Sequence, residues 1–557
     1  MEGSDRGGIV AGFSHPMSFW SGAAAVTVGV LLQLPMYFNA RHQHFVLRGM
    51  PMDPEMLIGM VLMVVGLALV AYGLVVRSPS GSSGKPRGTS IDVRALDGAR
   101  ISTAHIRLMV VLAVAIAIDT LKPYTFTFIL PGVAKEYGLS SPAHHVLGHA
   151  PVALLPFFGI LGTALGSFVW GYLGDKMGRR ASMLLASMIF IGSSACGAMP
   201  AFWENQVMCF IMGLAVGGFL PIAYSLLVET VPSERRGQVV VLVAGVGTAA
   251  GFLLASLSAH WLIPLFNWRV MWFLGIPTGV ALIALNQFMP ESPRFLLAMG
   301  RDEEALAIMR TFGAAIVEAV PGEGEDGMPA MAYSCSKSSV RELFHRPFTG
   351  LTSSLVLYGL AWGVVSFGFI VWLPTDVASA RTAIDQAQIT AILSEAAVFS
   401  IPGAVFAAWL YGRSAKVAMV FFSATCAASL GLFAVFGSQI TSDSIVLTTL
   451  LVVLLVSMWG SISVLCPYSA EVYPTRMRSS GAGIAAGASK LGGVVALALA
   501  VLAISPPSLT GAAGVSAAPM LAAAVAIAVV GVETARRSLD RCPPRGRNVE
   551  SSPVAVR

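Results

Sequence analysis

Apolar residues in this chain run in long continuous blocks, separated by short polar stretches that hold most of the charges. A helix needs about 20 apolar residues to cross the hydrocarbon of a bilayer. Fourteen stretches qualify, near 17–38, 55–77, 105–131, 150–173, 181–200, 206–230, 237–262, 268–289, 348–374, 386–411, 415–437, 444–468, 479–502 and 514–535. The expectation is an all-α membrane protein with a tail (1–16), a pair of helices (17–77), a linker (78–104), a six-helix bundle (105–289), a central polar loop (290–347), a second six-helix bundle (348–536) and a second tail (537–557). The Ser-, Gly- and Pro-rich run from Ser78 reads as a flexible linker that sets the first pair apart from a twelve-helix body.

Composition excludes a soluble globule. Of 557 residues 55% are hydrophobic and 11% charged, against roughly 25% charged in soluble proteins, and the mean hydropathy is +0.75. The net charge of +6 does not indicate nucleic acid, because Lys and Arg sit in clusters between apolar blocks, as in the positive-inside pattern. That pattern sets both termini, the linker and the central loop on the cytoplasmic side. Arg41, Arg48, Lys135, Arg269 and Arg381 fall on the other side. The first apolar block lacks a basic leader and a small-residue cleavage site, so it reads as a retained helix. The six cysteines have no paired spacing that marks a disulfide framework or a zinc site. No nucleotide-binding signature or nucleophile triad appears, so neither an enzyme nor a cofactor is expected. Arg-, Ala- and Gly-rich composition points to a GC-rich bacterial genome and hence a cytoplasmic membrane.

The chain repeats itself. Glu229-Thr-Val-Pro232-Ser-Glu-Arg-Arg236 recurs as Glu471-Val-Tyr-Pro474-Thr-Arg-Met-Arg478, at an offset of 242 residues and at equivalent span ends. Six spans, a long loop and six more spans is the layout of a duplicated transporter. Glu229 with Arg236, and Glu471 with Arg478, are candidates for a latch that opens when the halves rock. The loop Gly171-Tyr-Leu-Gly174-Asp175-Lys176-Met-Gly178-Arg179-Arg180 adds Asp175, Arg179 and Arg180 to that latch.

This loop resembles the signature of the major facilitator superfamily, as do the Glu-x-x-Pro-x-x-x-Arg repeats and Pro290-Glu-Ser-Pro-Arg294-Phe-Leu-Leu297. The likeness covers residues 105–536, leaves the first 77 unexplained, and implies two six-helix bundles around a central cavity. The second-half counterpart, Tyr411-Gly-Arg413-Ser-Ala-Lys416, lacks the acid. Within the superfamily the chain is most similar to the aromatic-acid/proton symporters and their organic-anion relatives. Three features carry this: Asp119-Thr-Leu-Lys122 with Pro131; Gly213-Leu-Ala-Val-Gly217-Gly218-Phe-Leu-Pro221 leading to Glu229; and Gly481-Ala-Gly483 followed by Gly487 and Lys490. Sugar porters usually carry Gln-Gln in the first span of the second half, which is missing here, and drug antiporters a Gly-Pro that the run Gly245 to Gly251 lacks. In proton symporters the position of Lys122 usually holds the proton-carrying acid, which leaves the coupling to other residues.

Four charged residues fall inside spans, Asp119, Lys122, Glu395 and Lys490, and each needs a partner or an aqueous cavity. One reading pairs Asp119 with Lys122 and Glu395 with Lys490, neutral and idle. The other makes Lys122 and Lys490 receptors for a substrate carboxylate, with Asp119 the protonatable group that Lys122 restrains, and Glu395 in reserve. Tyr124, Trp362 and Trp459 are candidate walls of the substrate site. His42, His44, His144, His145 and His149 lie in outer loops, as solvated residues or as a metal or pH sensor. The leading expectation is a secondary active transporter of a small organic anion, driven by protons or by exchange. Export of a hydrophobic drug or lipid-like compound, sugar transport, and a non-transporting sensor or scaffold are the alternatives. Substrate identity, direction and oligomeric state are not legible.

Overall fold

The computed structural model describes residues 15–74, 96, 98–140, 150–314, 340–379, 386–473, 478–502 and 508–534. Linker residues 78–95 and 97, tail residues 1–14 and 537–557, and His144, His145, His149 and Arg381 lie outside the described residues. Among the described residues nineteen α-helices follow one another, beginning with α1 (Pro16–Leu31), α2 (Leu34–Asn39) and α3 (Pro54–Leu74). The first half comprises α4 (Thr103–Tyr137), α5 (Leu154–Met177), α6 (Arg179–Ser193), α7 (Phe202–Thr230), α8 (Arg236–Phe266), α9 (Val270–Phe273) and α10 (Gly275–Asn286). Two short helices, α11 (Pro293–Ala298) and α12 (Asp302–Thr311), lie in the central loop. The second half comprises α13 (Thr349–Val364), α14 (Leu373–Ser379), α15 (Gln386–Arg413), α16 (Ala415–Ile440), α17 (Ser444–Glu471), α18 (Arg478–Val501) and α19 (Leu509–Val530).

Among the described residues thirteen helices are long and apolar enough to cross a membrane. The stretch expected over 268–289 forms a shorter apolar helix, Val270–Asn286, instead. Polar anchors set both its ends: Arg269 is buried in an ion pair with Glu136 at 2.7 Å, and the Asn286 side chain bonds Arg180. The first span of the body runs longer than its apolar block. α4 has 35 residues, continues through Pro123 and Pro131, and stops at Gly138, whose φ of 66° ends the helix in the left-handed region. At about 1.5 Å per residue its last turn, with Glu136 and Tyr137, stands beyond the apolar stretch.

Both halves repeat one packing scheme. α4 packs on α8, α5 on α7 and α6 on α10; correspondingly α13 packs on α18, α15 on α17 and α16 on α19. The halves join where α5 meets α18 and α8 meets α15. Glycines permit the close approaches, since a Cβ on Gly213 of α7 would collide with the Gly159 carbonyl of α5.

The additional pair, α1 and α3, lies outside this body. Its seam is made of glycines spaced seven apart: Gly22 meets the Gly66 carbonyl and Gly29 the Gly59 carbonyl, each 2.6 Å from where a Cβ would stand. One face of the pair packs through Phe19, Val26, Met63 and Val70 onto Leu184, Met188 and Ile191 of α6. At one end the connection between α1 and α3 is tied to the body. Glu136 accepts from the Leu47 and Arg48 amides at 3.0 and 3.3 Å, Asn267 donates to the carbonyls of His44 and Phe45, and the Tyr37 hydroxyl donates to the Phe266 carbonyl.

Candidate functional site

The charged residues within the spans part company. Asp119 is completely buried, and neither carboxylate oxygen has a hydrogen-bond partner. The cation facing it is Lys490, across the junction between the halves, with Tyr224 of α7 and Cys466 of α17 beside the pair. Lys122 turns the other way. Its ammonium is buried inside the first half, donates to the Trp272 carbonyl at 3.3 Å and lies near Cys196 and Cys209. The expected Asp119 and Lys122 pair is therefore not the one the structure brings together. Three residues of helix turn two side chains by about 60°, enough to aim them into different crevices.

Glu395 is exposed on α15, on the side that carries exposed Val398 and Phe399. It makes no ion pair with Lys490 among the described residues. Aromatic side chains cross the junction between the halves: Tyr124 of α4 packs edge-on against Phe252 of α8 at 5.0 Å, and Phe252 against Trp459 of α17 at 5.4 Å. A π-helical turn, Val365–Ile370, directly continues α13, a feature frequent at functional sites. Its Ser366 faces Tyr124. The Ser366 hydroxyl and the Trp459 indole N–H are both turned to the Tyr124 hydroxyl, without closing a hydrogen bond of ordinary geometry. Trp362 has a different position, donating to the Met458 carbonyl at 2.9 Å and packing edge-on against Phe367 within the second half.

Sequence reasoning missed Tyr224 and Cys466 as neighbours of the charged pair, and Phe252 and Ser366 as neighbours of Tyr124. All are residues that a lipid-facing or packing position accepts equally well, so only the register of four helices distinguishes them. The described residues hold no group of three or more His, Cys, Asp or Glu able to bind a metal ion.

At the end bearing the basic loops, each half is knotted to itself first. Arg179 pairs with Glu229 at 3.5 Å and donates to the Gly174 carbonyl at 2.7 Å, and Ser292 donates to Glu229. Glu291 accepts from the amides of Arg179 and Arg180 at 2.7 and 3.3 Å, capping α6. Burial pushes the Glu291 carboxyl above its ordinary range, against the pull of these amides. Gly178, with φ of 93°, leaves room for that carboxylate. Glu533 repeats the device in the second half, accepting from the Ser414 hydroxyl and from the Ala415 amide at 2.8 Å to cap α16. Residue numbers 291 and 533 differ by the same 242 as 229 and 471, a further mark of the repeat that sequence reading passed over.

Arg236 donates to the Val231 carbonyl at 3.2–3.3 Å. Glu471 accepts from Tyr411 at 2.7 Å and Thr534 at 3.0 Å. It also lies against Gly237, in the first turn of α8, where the helix dipole favours a carboxylate. This contact joins the halves. The side chains of Asp175 and Arg478 lie outside the described residues.

Two repeated bundles meeting at a buried charged and aromatic site define a membrane transporter of the two-bundle kind. The comparisons agree: the model of the family "Sugar (and other) transporter" matches residues 151–544, and the chain belongs to that family. It is 26% identical to the niacin transporter of Acinetobacter baylyi, over 80% of this chain and 98% of the relative. It is also 26% identical to the 4-hydroxybenzoate transporter of Pseudomonas putida, over 73% and 88%. Among solved structures, the proton:xylose symporter XylE bound to 6-bromo-6-deoxy-D-glucose shares the fold, with a TM-score of 0.59 at 17% identity, covering 78% of this chain and 98% of that one. The protein is thus a multi-pass major facilitator transporter of an organic substrate, not an enzyme, and its fold is a twelve-helix core with two additional helices.

Proposed function

We propose that the chain carries a small aromatic monocarboxylate together with a proton across the cytoplasmic membrane, with both termini cytoplasmic. The observation that carries this reading is the Asp119 carboxylate, wholly buried without a hydrogen-bond partner and facing Lys490 of the other half. Buried polar groups are almost always satisfied, so the two unpartnered Asp119 carboxylate oxygens favour a ligand or a proton reaching them. Relatives named for niacin and 4-hydroxybenzoate, both aromatic carboxylates, support the substrate class. The clustering of basic residues in alternate loops supports the orientation.

In this reading Lys490 receives the substrate carboxylate, and Tyr124, Phe252 and Trp459 flank the ring. The substrate anion competes with Asp119 for the same ammonium. Asp119, deprived of its cation inside the bilayer, takes up a proton, because an unpaired charge there is costly. Anion and proton cross together, and release of the substrate lets Asp119 return to Lys490. Lys122 and Glu395 have no part in this cycle. The latch around Arg179, Glu229 and Glu471 holds the basic end closed until the halves rock.

Proteoliposomes test the scheme. Niacin or 4-hydroxybenzoate should exchange by counterflow, and xylose and a lipophilic cation should not. Lys490→Gln should lower that exchange about tenfold or more, the scale of one lost charged hydrogen bond, and Asp119→Asn should keep counterflow but lose the response to an imposed pH gradient. Intact transport in Lys490→Gln removes the anion-receptor role. An undiminished gradient response in Asp119→Asn removes Asp119 as the proton carrier. Exchange of xylose or the lipophilic cation in place of the carboxylates favours the sugar or exporter reading.

A further inference from the structure

A cavity of about 390 Å³ lies at the basic end, away from the charged pair and walled by the first half, the α11–α12 segment and Leu74, the last residue of α3. Three arginines line it, Arg107, Arg180 and Arg301, against two acids, Glu291 and Glu304. Both acids are already engaged. Glu291 caps α6, and Glu304 holds Arg301 through two contacts of 2.7 Å. Arg107 makes no ion pair among the described residues, and Arg180 spends its Nε on Asn286 at 3.1 Å. Three arginines against two acids leave the lining one positive charge in surplus, with Glu291 close to Arg180 and Arg107 without an ion pair among the described residues, while Leu108, Leu184 and Leu296 form an apolar remainder.

We infer that this cavity binds the headgroup of an anionic phospholipid, its phosphate on Arg107 and Arg180 and the first carbons of its chains along the leucines. The position favours a lipid over a soluble anion. Phe288, in the cavity wall, is 47% exposed, and Ile106 and Val110 on the helix of Arg107 are 55% and 58% exposed. Arginine and lipid-facing apolar surface thus stand together where α3 and α10 end and α4 begins. Basic pockets between spans are suited to acidic headgroups, and the volume matches a small-molecule pocket rather than a whole lipid. Leu74 gives the additional helices a role: they complete the wall of the pocket on the outside of the transporter body.

Full-length protein in detergent, titrated with phosphatidylglycerol or phosphatidylcholine and read by native mass spectrometry, tests this. Phosphatidylglycerol adducts should persist where phosphatidylcholine adducts do not, and Arg107→Gln should weaken their retention about fivefold, the scale of one basic contact with an anionic lipid. Arg41→Gln, an exposed arginine at the opposite end, should leave retention unchanged. Equal retention of the two lipids, no effect of Arg107→Gln, or an equal loss in Arg41→Gln overturns the assignment. Inorganic phosphate is run in parallel by thermal shift: no shift is expected, and a shift equal to that given by phosphatidylglycerol would make the cavity a soluble-anion site and overturn the lipid.

Discussion

Replacing Glu136 by Gln leaves Arg269 without its countercharge. The two side chains are 2% and 0% exposed and 2.7 Å apart. At an effective dielectric of about 20 their attraction is about 6 kcal/mol. Desolvating two ions costs several kcal/mol each, so the pair as a whole contributes little net stability, yet removing one member costs about 3–5 kcal/mol. Arg269 also donates to the Met199 carbonyl and the Tyr137 hydroxyl, both at 2.8 Å, so it has nowhere to turn toward water. Glu136→Gln and Arg269→Met should each destabilise strongly, and the double variant should cost less than their sum by at least about 1 kcal/mol, as expected for groups in direct contact. Equilibrium unfolding in mixed micelles measures the cycle. Since Glu136 also holds the Leu47 and Arg48 amides, trypsin should cut at the exposed Arg41 and Arg48 faster in Glu136→Gln. Additive losses, or a single-variant cost below about 1 kcal/mol, would show that the pair is solvated and refute the argument.

The seam of the additional helices should be as sensitive to bulk as a packed core: Gly66→Val drives a side chain toward Val26 and the Gly22 carbonyl, each 2.8 Å from its Cβ, and should cost about 1–3 kcal/mol. The exposed Val64→Ala serves as the control in the same unfolding assay, and equal midpoints for the two variants count against a close seam. Glu291 gives a pH signature: because burial raises its carboxyl in the folded state, its contribution is full below the ordinary value of 4.5 and is lost as pH rises through the raised one. Glu291→Gln should flatten that part of the stability profile between acid and neutral pH, and an unchanged profile in thermal unfolding excludes the effect.

Hydropathy alone determined the membrane class and nearly all of the spans, because the bilayer imposes its thickness on any helix that crosses it. The 242-residue repeat was likewise legible, and Glu291 with Glu533 shows that it extends further than the motif at Glu229 and Glu471. Asp119 and Lys490 stood out because charge within a span is costly enough to need a reason. The partner of each charge was not legible. Lipid-facing and protein-facing positions of these helices are both apolar, so the periodicity that betrays the buried face of a soluble helix is missing. Tertiary packing alone turned Asp119 toward Lys490, buried Lys122 beside Cys196 and Cys209, and left Glu395 on the outside. Arg269 shows the same division: the sequence places it on the outer side, at the edge of a span, and only the fold, by carrying α4 a turn beyond its apolar stretch, brings Glu136 to meet it.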